Sequence, residues 1–144
     1  MFISFENDLN EFYEIYFEFI DFIGSPTQLF GADNCLTLRS TTGDQNKFEP
    51  LLGTECLINI IVGKVSVDGI EWDNDSLQID DLIAEHDNDI RITVYKDQDY
   101  SKSIFQGFVV GEDNSEPVLD PPFTLSIRAL DCLGLLKGVD LITP

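Results

Sequence analysis

Near its end the chain reads Pro121-Pro122-Phe123-Thr124-Leu125-Ser126-Ile127-Arg128-Ala129-Leu130-Asp131-Cys132-Leu133-Gly134-Leu135-Leu136-Lys137. The first half alternates apolar and polar side chains, and this period of two predicts a strand over residues 123–129 with one buried face. Asp131 then suits the N-cap of a short helix, because its carboxylate can accept hydrogen bonds from the free N–H groups of the first turn. We expect Leu133 and Leu136 to dock on an open end of the sheet. The stretch therefore predicts a strand-to-helix corner that closes a β-rich fold.

A second strand and an acidic loop precede this corner. The strand is predicted over residues 104–110 and contains Phe105-Gln106-Gly107, where a glycine inside a strand implies a bulge, a bend or a close backbone approach. The loop, residues 111–122, carries the acids Glu112, Asp113, Glu116 and Asp120. We interpret these acids as a contact or lumen surface, with an ordinary solvated hairpin loop as the alternative. Phe105, Gly107 and Asp131 are predicted to be fold-signature residues without catalytic roles.

The rest of the chain also reads mainly as strands. Aromatic and β-branched composition favours a strand over residues 11–23, although the acids there also have helical spacing. The pair Asp68-Gly69 is typical of a type I′ hairpin turn, because both turn positions need positive φ. A helix is predicted over residues 76–85, capped by Asp75 or Ser76. Further strands are predicted over residues 35–39 with Leu36 and Leu38 inward, 54–62, 65–67, 70–72 and 90–95.

Composition limits both the fold class and the partners. A chain of 144 residues with 43% hydrophobic residues is long enough for one domain with a buried core. We therefore predict a single, mainly β domain over residues 1–144, an antiparallel β-barrel-like or split-barrel fold with one or two short helices. Its 27 acids against 8 bases give a net charge of −19. This charge argues against nucleic-acid binding by phosphate neutralisation, and it fits either a solvated surface or a wall past which a polyanion slides.

The cysteines and the N-terminus bear on the compartment. Three cysteines, each in or beside an apolar run, leave one unpaired in any disulfide scheme, so buried reduced thiols are expected at Cys35, Cys56 and Cys132. Reduced thiols fit assembly in a cytoplasm. Neither a signal peptide nor a run of about 20 apolar residues is visible, so we expect a soluble protein.

Catalytic and metal-binding patterns are missing from the sequence. The single histidine, His86, is flanked by acids and is interpreted as a solvated helix end. Asp73-Asn74-Asp75 offers the first and third positions of a calcium-binding loop, but Leu77 falls on the fifth and no glycine follows. An irregular cation site formed by the carboxylates of Asp73, Asp75 and Asp80 is the alternative. No zinc spacing, phosphate-binding loop or dinucleotide fingerprint occurs. The sequence therefore predicts no enzyme, no cofactor and no metal site.

The order of elements carries a resemblance over nearly the whole chain. An early aromatic strand at residues 13–23 is followed by Lys47-Phe48-Glu49-Pro50 before the strand 54–62, then by Phe105-Gln106-Gly107, and finally by the closing run from Pro122 to Lys137. This order resembles the N-terminal β-domain of tail hub proteins, of the baseplate-hub or tail-tip class, from phages and prophages of Bacteroidetes-type hosts. Cys132 departs from that pattern, which has glycine there, and would be strained if the glycine serves a positive φ. The chain is also shorter than such proteins usually are.

The resemblance implies a structural role in a virion. It leads us to expect a phage tail component that forms a homo-oligomeric ring with other tail proteins and is assembled in the host cytoplasm. No specific nucleic-acid binding and no membrane contact are expected. Two other classes stay open: a carbohydrate-binding β-sandwich that uses Trp72, Tyr95 and Tyr100 as stacking platforms, and a small acidic inhibitor that covers a basic nuclease.

Overall fold

The computed structural model describes residues 1–19, 28–41, 53–73, 90–110 and 122–135. Within these ranges the chain forms strands and one helical turn. The elements are β1 (Phe2–Glu6), β2 (Phe12–Phe19), β3 (Gln28–Leu29), β4 (Gly31–Thr41), β5 (Gly53–Val62), β6 (Lys64–Val67), β7 (Ile70–Asp73), β8 (Ile90–Lys96), β9 (Ser103–Val109), β10 (Phe123–Asp131) and α1 (Cys132–Leu135).

Eight of the strands form one sheet in the order β3-β1-β2-β8-β9-β10-β5-β4. Neighbours are antiparallel except β1 and β3, which run parallel. The strands at the two ends of this order, β3 and β4, are consecutive in the chain and separated only by Phe30. The sheet therefore curls into a nearly closed barrel, which confirms the predicted mainly β, barrel-like fold class. The remaining strands, β6 and β7, form a separate two-stranded sheet that we call the ribbon.

The core lies inside the curled sheet and follows the period of two. In the strands predicted over residues 54–62, 90–95 and 123–129, the period of two predicts three inward-facing sets of side chains: Cys56, Ile58, Ile60 and Val62; Ile90, Ile92 and Val94; and Phe123, Leu125, Ile127 and Ala129. All of them are buried except Phe123, which is half-buried. This confirms the predicted face of each strand. In the described part of the chain the buried apolar side chains are Ile3, Ile15, Phe17, Leu29, Cys35, Cys56, Ile58, Ile60, Val62, Ile90, Ile92, Val94, Phe105, Val109, Leu125, Ile127 and Ala129.

Gly107 and Asp131 join the last strands at the closing corner. The two residues are paired in register between β9 and β10. A Cβ added at Gly107 would collide with the carbonyl oxygen of Leu130 and with the ring of Phe105, so the glycine marks a close backbone approach. The Asp131 carboxylate accepts a hydrogen bond from the Thr54 backbone N–H at 2.8 Å. This bond ties the end of β10 to β5.

Two expectations for this corner are wrong. The helical turn α1 begins at Cys132 as predicted, but Leu133 is 43% exposed and does not dock on the sheet. Cys132 is likewise exposed, whereas a buried thiol was expected. A single turn has too little apolar surface to hold both side chains against the strands, and they face solvent instead. Cys132 is not among the residues with positive φ, so it carries no strain from replacing a glycine.

The other local predictions, of a hairpin turn and of further strands, were confirmed in part. The hairpin turn is confirmed, with φ of 51° at Asp68 and 78° at Gly69, and the segment 11–23 is a strand over the part described, as β2. The strand expected at residues 35–39 extends over the whole of β4. In it Leu36 packs on the core, but Leu38, opposite the buried Cys56, is exposed because it lies at the end of the sheet order. The short strands β1 and β3 were not predicted.

Several predictions lie outside the described residues. They are the helix at residues 76–85, His86, Asp75, Asp80, Leu136, the Lys47-Phe48-Glu49-Pro50 element and the acidic loop of residues 111–121. None of the helical segments described is long and apolar enough to cross a bilayer.

Candidate interaction surfaces

Three tyrosines meet on the outer face of the sheet, and we call them the tyrosine cluster: Tyr16, Tyr95 and Tyr100. The ring centroids of Tyr16 and Tyr95 are 5.8 Å apart, those of Tyr95 and Tyr100 5.4 Å, and those of Tyr16 and Tyr100 6.4 Å. All three pairs are edge-to-face, with interplanar angles of 69–76°. Phe2 of β1 extends the cluster by stacking on Tyr16 at 5.7 Å. The outer face thus presents an aromatic surface over β1, β2 and β8.

The tyrosine cluster covers an acidic side chain. Glu14 lies opposite Tyr95 in the β2–β8 ladder and is only 7% exposed, although it points away from the core. Its Oε2 accepts a hydrogen bond from the Tyr100 hydroxyl at 2.5 Å, and its Oε1 a long one from the Tyr16 hydroxyl at 3.4 Å. The bond to Glu14 raises the pKa of Tyr100, because ionising that hydroxyl would put a second negative charge beside the carboxylate.

The turn between β8 and β9 holds Tyr100 over Glu14. Asp97 fixes the start of this turn by a reciprocal pair with Phe12: its N–H donates to the Phe12 carbonyl at 2.8 Å, and its carboxylate accepts from the Phe12 N–H at 3.2 Å. Asp97 and Gln98 both have positive φ, of 53° and 59°. These two residues turn the chain back over the outer face. Tyr100 is therefore placed by local backbone geometry, and the residue stays 54% exposed.

The ribbon is a second candidate surface because its two faces differ. One face carries Lys64, Ser66 and Glu71; the cross-strand pairs Val65–Trp72 and Val67–Ile70 lie on the other. Trp72 packs on Phe30 with ring centroids 5.5 Å apart, which anchors the base of the apolar face. Ile70, next to the turn, is 58% exposed. A cavity of about 240 Å³ borders the ribbon and is lined by Lys64, Val65, Ser66, Glu71 and Trp72.

Several basic side chains of the described surface form ion pairs with glutamates. The buried carboxylate of Glu55 is bonded by Arg39 of β4 and by Arg128 of β10. The hydrogen bond from Arg39, together with that from Arg128, holds the pKa of Glu55 below its usual value. On β8, Arg91 pairs with Glu18. Each of these three arginines is bonded to a glutamate, with Arg39 and Arg128 sharing Glu55, and the large excess of acids dominates the potential around the molecule.

A fourth ion pair lies at one end of the barrel, next to an aromatic ring. The ammonium group of Lys96 lies 2.5 Å from Glu11 Oε1 and 5.8 Å from the centroid of the Tyr13 ring. Glu11 also accepts hydrogen bonds from Asn7 and from the Tyr13 hydroxyl. These interactions, led by the bond from Lys96, lower the pKa of Glu11 to about 2. The chain therefore builds a carboxylate, tyrosine and cation group from its own residues.

Among the described residues, those singled out from the sequence do not form one site. Tyr95 and Tyr100 meet in the tyrosine cluster, but Trp72 packs separately on Phe30. Gly107 pairs with Asp131 and lies close to the ring of Phe105, while the fold-signature role of these three residues stays a prediction. The acids of the 111–122 loop lie outside the described residues, so their role stays a prediction. Within the described ranges no cluster of histidine, cysteine and acidic groups is arranged to hold a metal ion.

Sequence reasoning missed Glu14 and Tyr16 as site residues. The alternation of β2 places both on the outer face, a signal that was available. Their neighbours across the ladder, Tyr95 and Thr93, lie far away in the sequence, and no local pattern predicts that pairing. In comparisons with known proteins, no family model, no curated protein and no solved structure matches the chain.

Proposed function

We propose that this protein is a structural component of a phage tail, at the hub, tail tip or baseplate, and that it acts by assembling into a ring. The order of elements from the early aromatic strand to Lys137 supports the tail assignment. The ribbon supports assembly and is the observation that carries this part of the proposal. A two-stranded sheet is marginally stable by itself and gains stability from packing against a further element.

The ribbon offers a suitable contact to a second copy of the chain. Its apolar face ends in the exposed side chain of Ile70, and burying that side chain against a neighbour would be favourable. In the described residues the ribbon strands pair only with each other. A neighbouring subunit that pairs with one edge and covers Ile70 would make a head-to-tail contact, and such contacts generate rings when the rotation closes.

The acid excess supports a second part of this proposal, that the ring has a lumen through which DNA passes. The net charge of −19 would keep DNA phosphates from adhering to the wall. The described arginines Arg39, Arg91 and Arg128 are bonded to glutamates, which limits the positive potential they present. A basic wall in an assembled ring would refute the lumen, without deciding ring formation itself.

The test of ring formation is the oligomeric state of the full chain. Light scattering across a wide concentration range and electron microscopy, alone and with tail partners, should find a closed ring. Ile70→Asp should abolish it, because a charge at the contact would be desolvated. Leu9→Asp is the matched control, since Leu9 is 76% exposed in the β1–β2 turn and takes no part in the ribbon. A monomer under all these conditions refutes ring formation, and a ring that survives Ile70→Asp unchanged refutes the ribbon as its contact.

A further inference from the structure

Glu14 is a buried acidic group that no basic side chain neutralises within the described part of the chain. Its hydrogen-bond donors there are the hydroxyls of Tyr16 and Tyr100. Proteins usually pair a buried carboxylate with a cation, because desolvating an unpaired charge is costly. The base on the same face of β8, Arg91, is bonded to Glu18 instead. The surface of the tyrosine cluster therefore combines exposed aromatic area with an unneutralised acid beneath it.

The Glu11, Tyr13 and Lys96 group at the barrel end includes a cation, which the tyrosine cluster lacks within the described residues. There Glu11 and the Tyr13 ring are joined by the ammonium of Lys96. Around Glu14 the carboxylate and the tyrosines are present, and a tyrosine hydroxyl donates to the carboxylate in the same way. The described residues supply no cation at that position. A cation from another molecule would complete the same arrangement.

We propose that the tyrosine cluster binds an arginine side chain of a protein partner. The exposed ring of Tyr100 can stack on a guanidinium, which is planar and weakly hydrated and is attracted to the ring face within about 6 Å. The carboxylate of Glu14 adds a Coulomb attraction at short range through poorly hydrated surroundings. The net charge of −19 draws a basic segment toward this surface from a distance. This site does not depend on ring assembly.

The ring geometry favours a compact cation over a sugar chain. A polysaccharide platform needs aromatic faces that lie roughly in one plane, so that successive sugar rings can stack on them. The tyrosine cluster instead has interplanar angles of 69–76°, and Trp72 packs apart from it on Phe30. The cluster thus offers a single exposed ring beside an acid, which suits one guanidinium group.

The experiment is a titration of the full chain, followed by NMR, with the peptide acetyl-Gly-Arg-Gly-Arg-Gly-amide in 0.15 M NaCl. Cellopentaose is titrated in parallel as the carbohydrate probe. The variants are Tyr100→Leu, which removes the exposed ring, and Glu14→Gln, which removes the charge and keeps an oxygen for the tyrosine hydroxyls. Glu71→Gln is the control matched in charge, because Glu71 is an exposed acid on the ribbon. Circular dichroism checks that each variant is folded.

The peptide is expected to shift the resonances of Tyr16, Tyr95 and Tyr100. Tyr100→Leu and Glu14→Gln should each weaken its binding about fivefold or more, in the range of a partly desolvated cation–π contact. Glu71→Gln should change the affinity less than about twofold, as expected for a screened surface charge. Equal weakening by Glu14→Gln and Glu71→Gln would show attraction to net charge alone and overturn the site. Shifts of the tyrosine resonances by cellopentaose and not by the peptide would also overturn it, in favour of a glycan surface.

Discussion

Replacement of Gly107 by alanine tests the closing corner most directly. The added Cβ would meet the Leu130 carbonyl group and the ring of Phe105 at distances that real Cβ atoms do not show. The carbonyl is backbone in the paired strand β10, and the ring is buried, so neither can rotate away. Overpacking of a tight site costs about 1–3 kcal/mol, and this immobile contact belongs near the upper end. The lower entropy of the unfolded alanine chain offsets about 0.4–1 kcal/mol. We expect a net loss of about 2 kcal/mol.

Urea unfolding followed by far-UV circular dichroism measures this loss as a lower midpoint at unchanged slope. The control is Gly69→Ala. Gly69 has no atom within 4 Å of an added Cβ but has φ of 78°. Alanine there should lower the free energy of unfolding only by the cost of a left-handed backbone, about 1 kcal/mol. If Gly107→Ala unfolds at the same urea concentration as the parent or a higher one, β9 and β10 do not approach closely and the reasoning fails.

Three further predictions concern charged and titratable groups. Glu55→Gln should lower the free energy of unfolding in urea by about 2 kcal/mol, because it removes a buried charge that pairs with two arginines and leaves them one acceptor oxygen. Glu18→Gln, in a half-exposed pair, should lower it by less than about 1 kcal/mol, and equal losses would contradict the burial argument. The pKa of Glu11 is about 2 in the folded state against an unperturbed 4.5, so its stabilising contribution should be full above pH 4.5 and decline as the pH falls toward 2. Glu11→Gln should therefore reduce the dependence of the urea midpoint on pH between pH 5 and 2. An unchanged pH dependence would contradict the pairing of Glu11 with Lys96. In the native protein at pH 8 a thiol reagent should modify Cys132 alone, because burial shields Cys35 and Cys56 and raises the pKa of their thiols to about 12. Mass spectrometry should find Cys35 and Cys56 modified only after unfolding, and their labelling in the native protein would refute their burial.

The strands and their buried faces were predictable because one signal, the period of two, is local and redundant. In β5 and β10 every second residue is apolar over seven or more positions, and a slip of one residue would expose the whole set. The turn at Asp68-Gly69 was predictable for the same reason, since its chemistry is fixed by two adjacent residues. Signals of this kind need no knowledge of the neighbouring strand.

The outer face was less predictable, because the alternation rule identifies which side a residue faces and not what covers it. Glu14 faces outward, yet it is buried by Tyr100, whose position depends on positive φ at Asp97 and Gln98. Neither residue is a glycine, so the sequence carries no obvious sign of that backbone geometry. The short strand β3 was missed because two residues give no measurable period. Burial of outward residues is a tertiary property, and it requires the strand order first.

That strand order narrows where a neighbouring subunit would pair. An open sheet offers both edge strands to partners, but here the two ends of the order belong to one continuous segment, β3 followed by β4. A Cβ added at Gly31 of β4 would lie 3.3 Å from Ile3 of β1, so the start of β4 lies beside the opposite end of the sheet. The ribbon is not part of this closure, and its edges stay outside the main sheet. Ring formation by strand pairing should therefore respond to changes in the ribbon more strongly than to equivalent changes in β4.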